Sequence, residues 1–133
     1  SKDNPVYYVQ YSFARISSLF RILDKSVEDE IICQTGQFKL NSNEIKILRK
    51  IFEWPKIIET ASFKYEPHRI PFYLYELATL FHAYWSKGNE DVNYRFIDGG
   101  KIKSTGTLVI LVLIAVVIQR GMNILGVSLP NKM

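Results

Sequence analysis

The 133-residue chain is predicted to be an all-α helical bundle, and three observations predict it. Apolar residues recur at spacings of three and four through several separate stretches, the mark of helices with one buried face. Helix-opening chemistry stands ahead of those stretches, in Asn4-Pro5, Asn41-Ser42-Asn43 and the Pro67–Pro71 segment. The run Leu108–Ile118 is apolar on every side, as befits a helix at the centre of a bundle. The composition is 47% hydrophobic and 23% charged, which is globular rather than disordered, and the length supports one core and one domain, 1–133.

The first helix is expected to start at Asn4 as N-cap, with Pro5 at the first helical position, where its missing N–H costs nothing. Val6, Val9, Phe13, Ile16, Phe20 and Leu23 draw one apolar seam along it. Tyr8, Tyr11, Arg15 and Ser18 follow the same spacing two residues later. Two residues turn a helix by about 200°, so this second stripe is expected nearly opposite the first, with two tyrosines and an arginine looking outward. Polar aromatics interleaved with a guanidinium suit unpaired bases and their phosphates.

Val27–Cys33 reads as a short helix with Glu28, Asp29 and Glu30 on its first turn, where acids suit the dipole, followed by a turn at Gln34–Gln37. Ile45, Leu48, Ile51 and Phe52 give the next helix its apolar face, and Trp54-Pro55 breaks it. A further helix restarts near Lys56 with Ile57, Ile58, Ala61 and Tyr65. The Pro67–Pro71 segment leads into another, whose seam is Leu74, Leu77, Phe81 and Tyr84 and which ends within Lys87–Asp91. From there to Thr105, with Asp98-Gly99-Gly100, the chain reads as a loop. The apolar run Leu108–Ile118 stops at Lys103 on one side and Gln119-Arg120 on the other. A membrane span needs about 20 apolar residues, whereas runs of 10 to 14 belong more often to buried core helices. A central core helix is therefore expected, and a membrane-bound bundle is the weaker reading.

The same residues carry a family resemblance. Tyr8-Val-Gln-Tyr11-Ser-Phe-Ala-Arg15 resembles the tyrosine–x–glutamine–tyrosine–alanine–histidine–x–arginine helix that opens the anticodon-binding domain (DALR-type) of bacterial arginyl-tRNA synthetases. Leu125-Gly126-Val127 with Pro130 and Met133 is similar to the tail with which these enzymes end, and Tyr73-Leu74, Leu77-Ala78 and Phe81-His82 are similar to a helix between. The resemblance implies the bundle of the class I synthetase anticodon-binding type. It also implies a role in translation within a cytoplasmic, monomeric ligase that joins arginine to its tRNA using ATP with magnesium. The partners implied are the tRNA anticodon loop and a catalytic domain of the same polypeptide, with no membrane. Tyr8, Tyr11 and Arg15 would contact RNA, and Met133 would fold back toward the anticodon pocket, where its thioether packs on a base. Tyr84, with Trp85, is placed at the RNA-facing edge, against the alternative of core packing. Phe13 stands where the family generally has histidine, and its place in the apolar seam makes it a packing residue.

A net charge of +4 is compatible with a polyanionic partner without requiring one. Arg21, Lys25, Arg49, Lys50, Arg95 and Arg120 are expected to be mostly solvated, some lining a phosphate track. One cysteine, Cys33, excludes an internal disulfide or a cysteine zinc site and fits a reducing compartment. His68 and His82 have no third ligand nearby, so no metal is expected, and His82 is expected as a hydrogen-bonded histidine at the edge of the core. No phosphate-cradling glycine loop and no nucleophile–base spacing is present, so the chain is expected to carry no catalytic residues or cofactor. Opening at Ser1-Lys2-Asp3, it is expected to be a piece of something longer. The alternative function is a helical protein-docking module whose exposed aromatics bind a partner.

Overall fold

The computed structural model describes residues 4–27 and 38–133. Cys33, the turn at Gln34–Gln37 and all but Val27 of the expected Val27–Cys33 helix lie outside the described residues. Five α-helices are described: α1 (Pro5–Ile22), α2 (Ser42–Phe52), α3 (Trp54–Phe63), α4 (Arg69–Glu90) and α5 (Thr105–Leu125). A 3-10 turn, Val92–Tyr94, and two short strands, β1 (Ile97–Asp98) and β2 (Lys101–Ile102), join α4 to α5. The bundle is all-α apart from this hairpin.

Helices α1 and α2 begin at the caps expected from the sequence. Asn4 caps α1 through its side-chain oxygen, which accepts from the backbone N–H of Val6 and Tyr7. Asn41 and Glu44 form a reciprocal capping box at α2. Pro55 ends α2 but does not delay the next helix to Lys56. It sits in the first turn of α3, which starts at Trp54. The buried face of α2 matches the expectation at Leu48 and Ile51 and departs from it at Ile45 and Phe52. Ile47 and Ile51 are buried, whereas Ile45 and Phe52 point to solvent, Phe52 at 72% exposure. Glu44, a charged residue, shares the buried side with Ile47 and Ile51.

Helix α5 is long and apolar enough to cross a membrane, yet in this fold Leu111, Ile114, Ala115 and Ile118 are completely enclosed. It is the central core helix, packed by α1, α2 and α4. Full burial of each large aliphatic side chain contributes roughly 1.5–3 kcal/mol. Two of its glycines mark close approaches. A Cβ on Gly106 would lie 2.5 Å from the Lys39 carbonyl oxygen, and one on Gly121 would lie 2.7 Å from a Leu74 methyl.

A buried polar hub ties three helices together. The Glu44 carboxylate, 2% exposed, accepts from the Tyr84 hydroxyl at 3.0 Å, the Thr107 hydroxyl at 2.5 Å and its own cap's N–H on Asn41 at 3.0 Å. These donors and the N-terminal end of α2 compensate the burial of a carboxylate. Tyr84 is thus a core residue, and its expected place at an RNA-facing edge is corrected. Its ring packs edge-on against Phe96 at 4.6 Å, and burial, offset in part by Asn41 and reinforced by Glu44, pushes its hydroxyl up to about 12.

The stretch expected as a loop contains a hairpin. Asp98 and Lys101 pair across Gly99 and Gly100, whose φ values are 59° and 78°. Positive φ at both central residues is the two-residue turn that suits twisted strands. Beyond Gly126, which ends α5 in the left-handed conformation, the tail runs back along α1. The Gln10 amide donates to the Ser128 carbonyl at 2.9 Å, and Arg21 donates to the Asn131 carbonyl at 3.0 Å. Arg21, exposed as expected, also anchors the tail.

Candidate nucleic-acid interface

Helix α1 lies in the seam between α4 and α5, so both of its stripes meet something. The apolar seam enters the core, with Val9, Phe13, Ile16 and Phe20 buried. The second stripe does not look freely outward as expected. Tyr8, Tyr11, Arg15 and Ser18 are half-buried, because the C-terminal half of α4 covers one flank of them. Where the two helices diverge they leave a cavity of about 460 Å³. Tyr7, Tyr8, Tyr11 and Arg15 of α1 form one wall, and His82, Trp85, Ser86 and Asn89 of α4 form the other.

The walls are aromatic and ordered. The rings of Tyr7, Tyr11 and His82 stack in sequence, with centroids 6.5 Å and 5.6 Å apart and planes within 3° and 14°. Tyr8 packs against His82 at 4.6 Å and Tyr75 at 5.2 Å. Burial, with Tyr75 beside it, holds the Tyr8 hydroxyl above the ordinary phenol range, so at neutral pH it stays protonated and can donate. The Arg15 guanidinium lies between two rings, 4.7 Å from the centroid of Tyr11 and 4.4 Å from that of Trp85. It also donates to the Tyr11 hydroxyl at 2.6 Å. Among the described residues no carboxylate is paired with Arg15.

A buried serine orients the histidine. Ser12 Oγ, fully enclosed, donates its one hydrogen to the Tyr8 carbonyl at 3.0 Å. At 2.9 Å from His82 Nε2 it must then accept, which puts the histidine proton on Nε2.

The structure brings together Tyr8, Tyr11 and Arg15, places Trp85, named with Tyr84 for the RNA-facing edge, beside them, and adds Tyr7 and His82. Tyr84 is absent from the site because it belongs to the core. Met133 does not line this cavity. Its tail follows α1, but Met133 itself is 50% exposed. The α4 contribution had a signal in the sequence: His82, Trp85 and Asn89 stand at spacings of three and four, a second polar-aromatic stripe. Which stripe would meet which is settled only by the packing. Among the described residues no group of histidine, cysteine or acidic side chains is arranged to hold a metal.

An all-α bundle presenting stacked tyrosines and an arginine that, among the described residues, has no acidic partner has the chemistry that suits single-stranded RNA. Residues 9–133 match the DALR anticodon binding domain, and the chain belongs to that family. It is 53% identical, over all of its length, to 23% of an arginine–tRNA ligase of Pelagibacter ubique. It is 40% identical to 24% of an arginine–tRNA ligase of Bartonella tribocorum, again over the whole chain. Its fold superimposes with a TM-score of 0.77 at 25% identity on a chain assigned as an arginyl-tRNA synthetase of Campylobacter jejuni, covering all of this chain and 27% of that one. The chain thus spans about a quarter of the length of the curated relatives it matches.

Proposed function

We propose that residues 1–133 form the anticodon-binding domain of an arginine–tRNA ligase and hold unpaired anticodon bases in the cavity between α1 and α4. The observation that carries this reading is Arg15, held between Tyr11 and Trp85 with no carboxylate paired to it among the described residues. A guanidinium so placed is ready for a phosphate or a base edge, and the flanking rings offer stacking faces worth roughly 1–3 kcal/mol per base. The rest of the polypeptide would bind ATP with magnesium and join arginine to the tRNA in the cytoplasm. This part would supply selection of the tRNA, with phosphate contacts fixing the loop and base contacts discriminating it.

The test is Tyr11→Ala in the full-length enzyme. Arginylation should lose efficiency through a raised KM for tRNA, while arginine-dependent ATP–pyrophosphate exchange on saturating tRNA stays near wild type. Binding of an anticodon stem-loop should also weaken steeply with salt through counterion release. Equal loss of both activities in a folded variant would sink the reading. Salt-insensitive association would move the protein-docking alternative to first place.

A further inference from the structure

Trp85 has two sides. One closes the Arg15 cavity, and the other walls a second, smaller cavity of about 150 Å³ completed by Leu19, Gly88, Tyr94, Arg95 and Ile97. Asn89 borders both. An apolar cavity of about this volume accommodates a benzene-sized ring, so a six-membered base ring fits it. The cavity is shaped by close packing at the end of α4. A Cβ on Gly88 would meet the Tyr94 carbonyl oxygen at 3.0 Å and Arg95 Cα at 3.1 Å, so the absent side chain lets the 3-10 turn press against the helix. Phe96, buried and stacked on Phe81 at 5.8 Å, makes a rigid floor.

Charge stands at the rim. Arg95 is exposed and is held in place by donation from Nε to the Gly88 carbonyl at 3.1 Å. Among the described residues no carboxylate pairs with it. The Lys87 ammonium lies 4.1 Å from the Tyr94 ring centroid. An apolar slot with an aromatic edge and two cations beside it matches a nucleotide, base inward and phosphate at the rim. A hydrophobic peptide side chain would use the slot and leave both cations idle. Trp85 and Asn89 line both cavities, so the two lie side by side along α4.

We propose that this second cavity is a neighbouring-nucleotide subsite. It takes the base next in the loop to the one held at Tyr11 and Arg15, with Arg95 on the intervening or following phosphate and Trp85 standing between the two bases. The assignment rests on the reading that the α1–α4 cavity binds a single-stranded RNA loop.

The experiment uses the full-length enzyme and anticodon stem-loops carrying one abasic nucleotide at each loop position in turn. Ile97→Phe fills the cavity, Arg95→Gln removes the rim charge, and Tyr11→Ala serves as the reference at the first cavity. Ile97→Phe and Arg95→Gln should each weaken loop binding about tenfold with unchanged melting temperature and unchanged arginine activation. In Ile97→Phe, the abasic change at one position should cause no further loss, and that position should neighbour the one made silent by Tyr11→Ala. If both second-cavity variants bind every loop as wild type does while Tyr11→Ala does not, the subsite is refuted and the first cavity stands; a slot kept for a protein side chain would give the same result. A uniform weakening across all abasic loops would reduce Ile97 to a prop for Trp85, which also overturns the proposal. If Tyr11→Ala too binds normally, the RNA reading falls with it.

Discussion

Ser12 and His82 meet at 2.9 Å across the seam between α1 and α4, and this is the polar contact that sets the cavity's ring stack. Ser12→Ala would remove the oxygen that faces Nε2 of the half-buried His82, a loss of about 1 kcal/mol. The expected outcome is a lower denaturation midpoint with unchanged slope, together with weaker stem-loop binding as His82 loses its fixed plane against Tyr11. A variant with the lowered midpoint but wild-type affinity would show that the stack does not depend on the serine.

Arg15→Lys keeps the charge and removes the planar fork that lies between Tyr11 and Trp85. An ammonium cannot stack on two rings and donate in a fixed direction at once. The expected result in the full-length enzyme is a roughly tenfold rise in KM for tRNA, about 1.4 kcal/mol, with arginine activation unchanged. Steady-state arginylation kinetics would decide it, and a KM within twofold of wild type would show that charge alone suffices.

The sequence made α1, α4 and α5 legible because each has a long periodic or unbroken apolar pattern. It placed the face of α2 only in part: Ile51 is buried as expected and Leu48 packs against the core, but Ile45 and Phe52 are exposed and Ile47 lies inside beside Glu44. The hairpin at Gly99-Gly100 was written in its paired glycines, yet two-residue strands give too short an alternation to be seen. Half of the cavity was readable from Tyr8, Tyr11 and Arg15. The other half was readable only in Trp85, because nothing local says that it and His82, some seventy residues away, will close over that stripe. Tyr84 and Trp85 are chain neighbours, and their opposite fates depend on a helical rotation of about 100°.

Glu44→Ala should be among the most damaging single changes to stability. It removes the acceptor for Tyr84 and Thr107 at once, and hydrogen bonds to a charged group contribute about 1.5–3 kcal/mol each. Chemical denaturation should show a loss of at least about 3 kcal/mol. A loss under about 1 kcal/mol would mean that the two hydroxyls find other acceptors.

Alkaline stability should follow Tyr84. Its hydroxyl is raised from the ordinary 10 to about 12 in the folded state, so the unfolded chain releases this proton first as pH rises. The stabilisation is fully present below about pH 10 and is lost progressively as pH rises through about 12, a total of about 2–3 kcal/mol from this group. Tyr73, also raised by burial and by Glu53 and Glu76, acts in the same direction. Urea midpoints measured from pH 8 to 11.5 would check it. A midpoint that is flat across that range would refute it.

Helix α5 carries one more consequence. A cylinder greasy on every side gains nearly as much by entering the core in one rotation as in another, so its apolar residues cannot tell it which way to face. That instruction comes from its exceptions. Gly106 admits the Lys39 backbone, Gly121 admits Leu74, and Thr107 reaches Glu44; on a helical wheel the three fall within a sector of about 100°. The compass of the most hydrophobic element is thus made of two missing side chains and one hydroxyl.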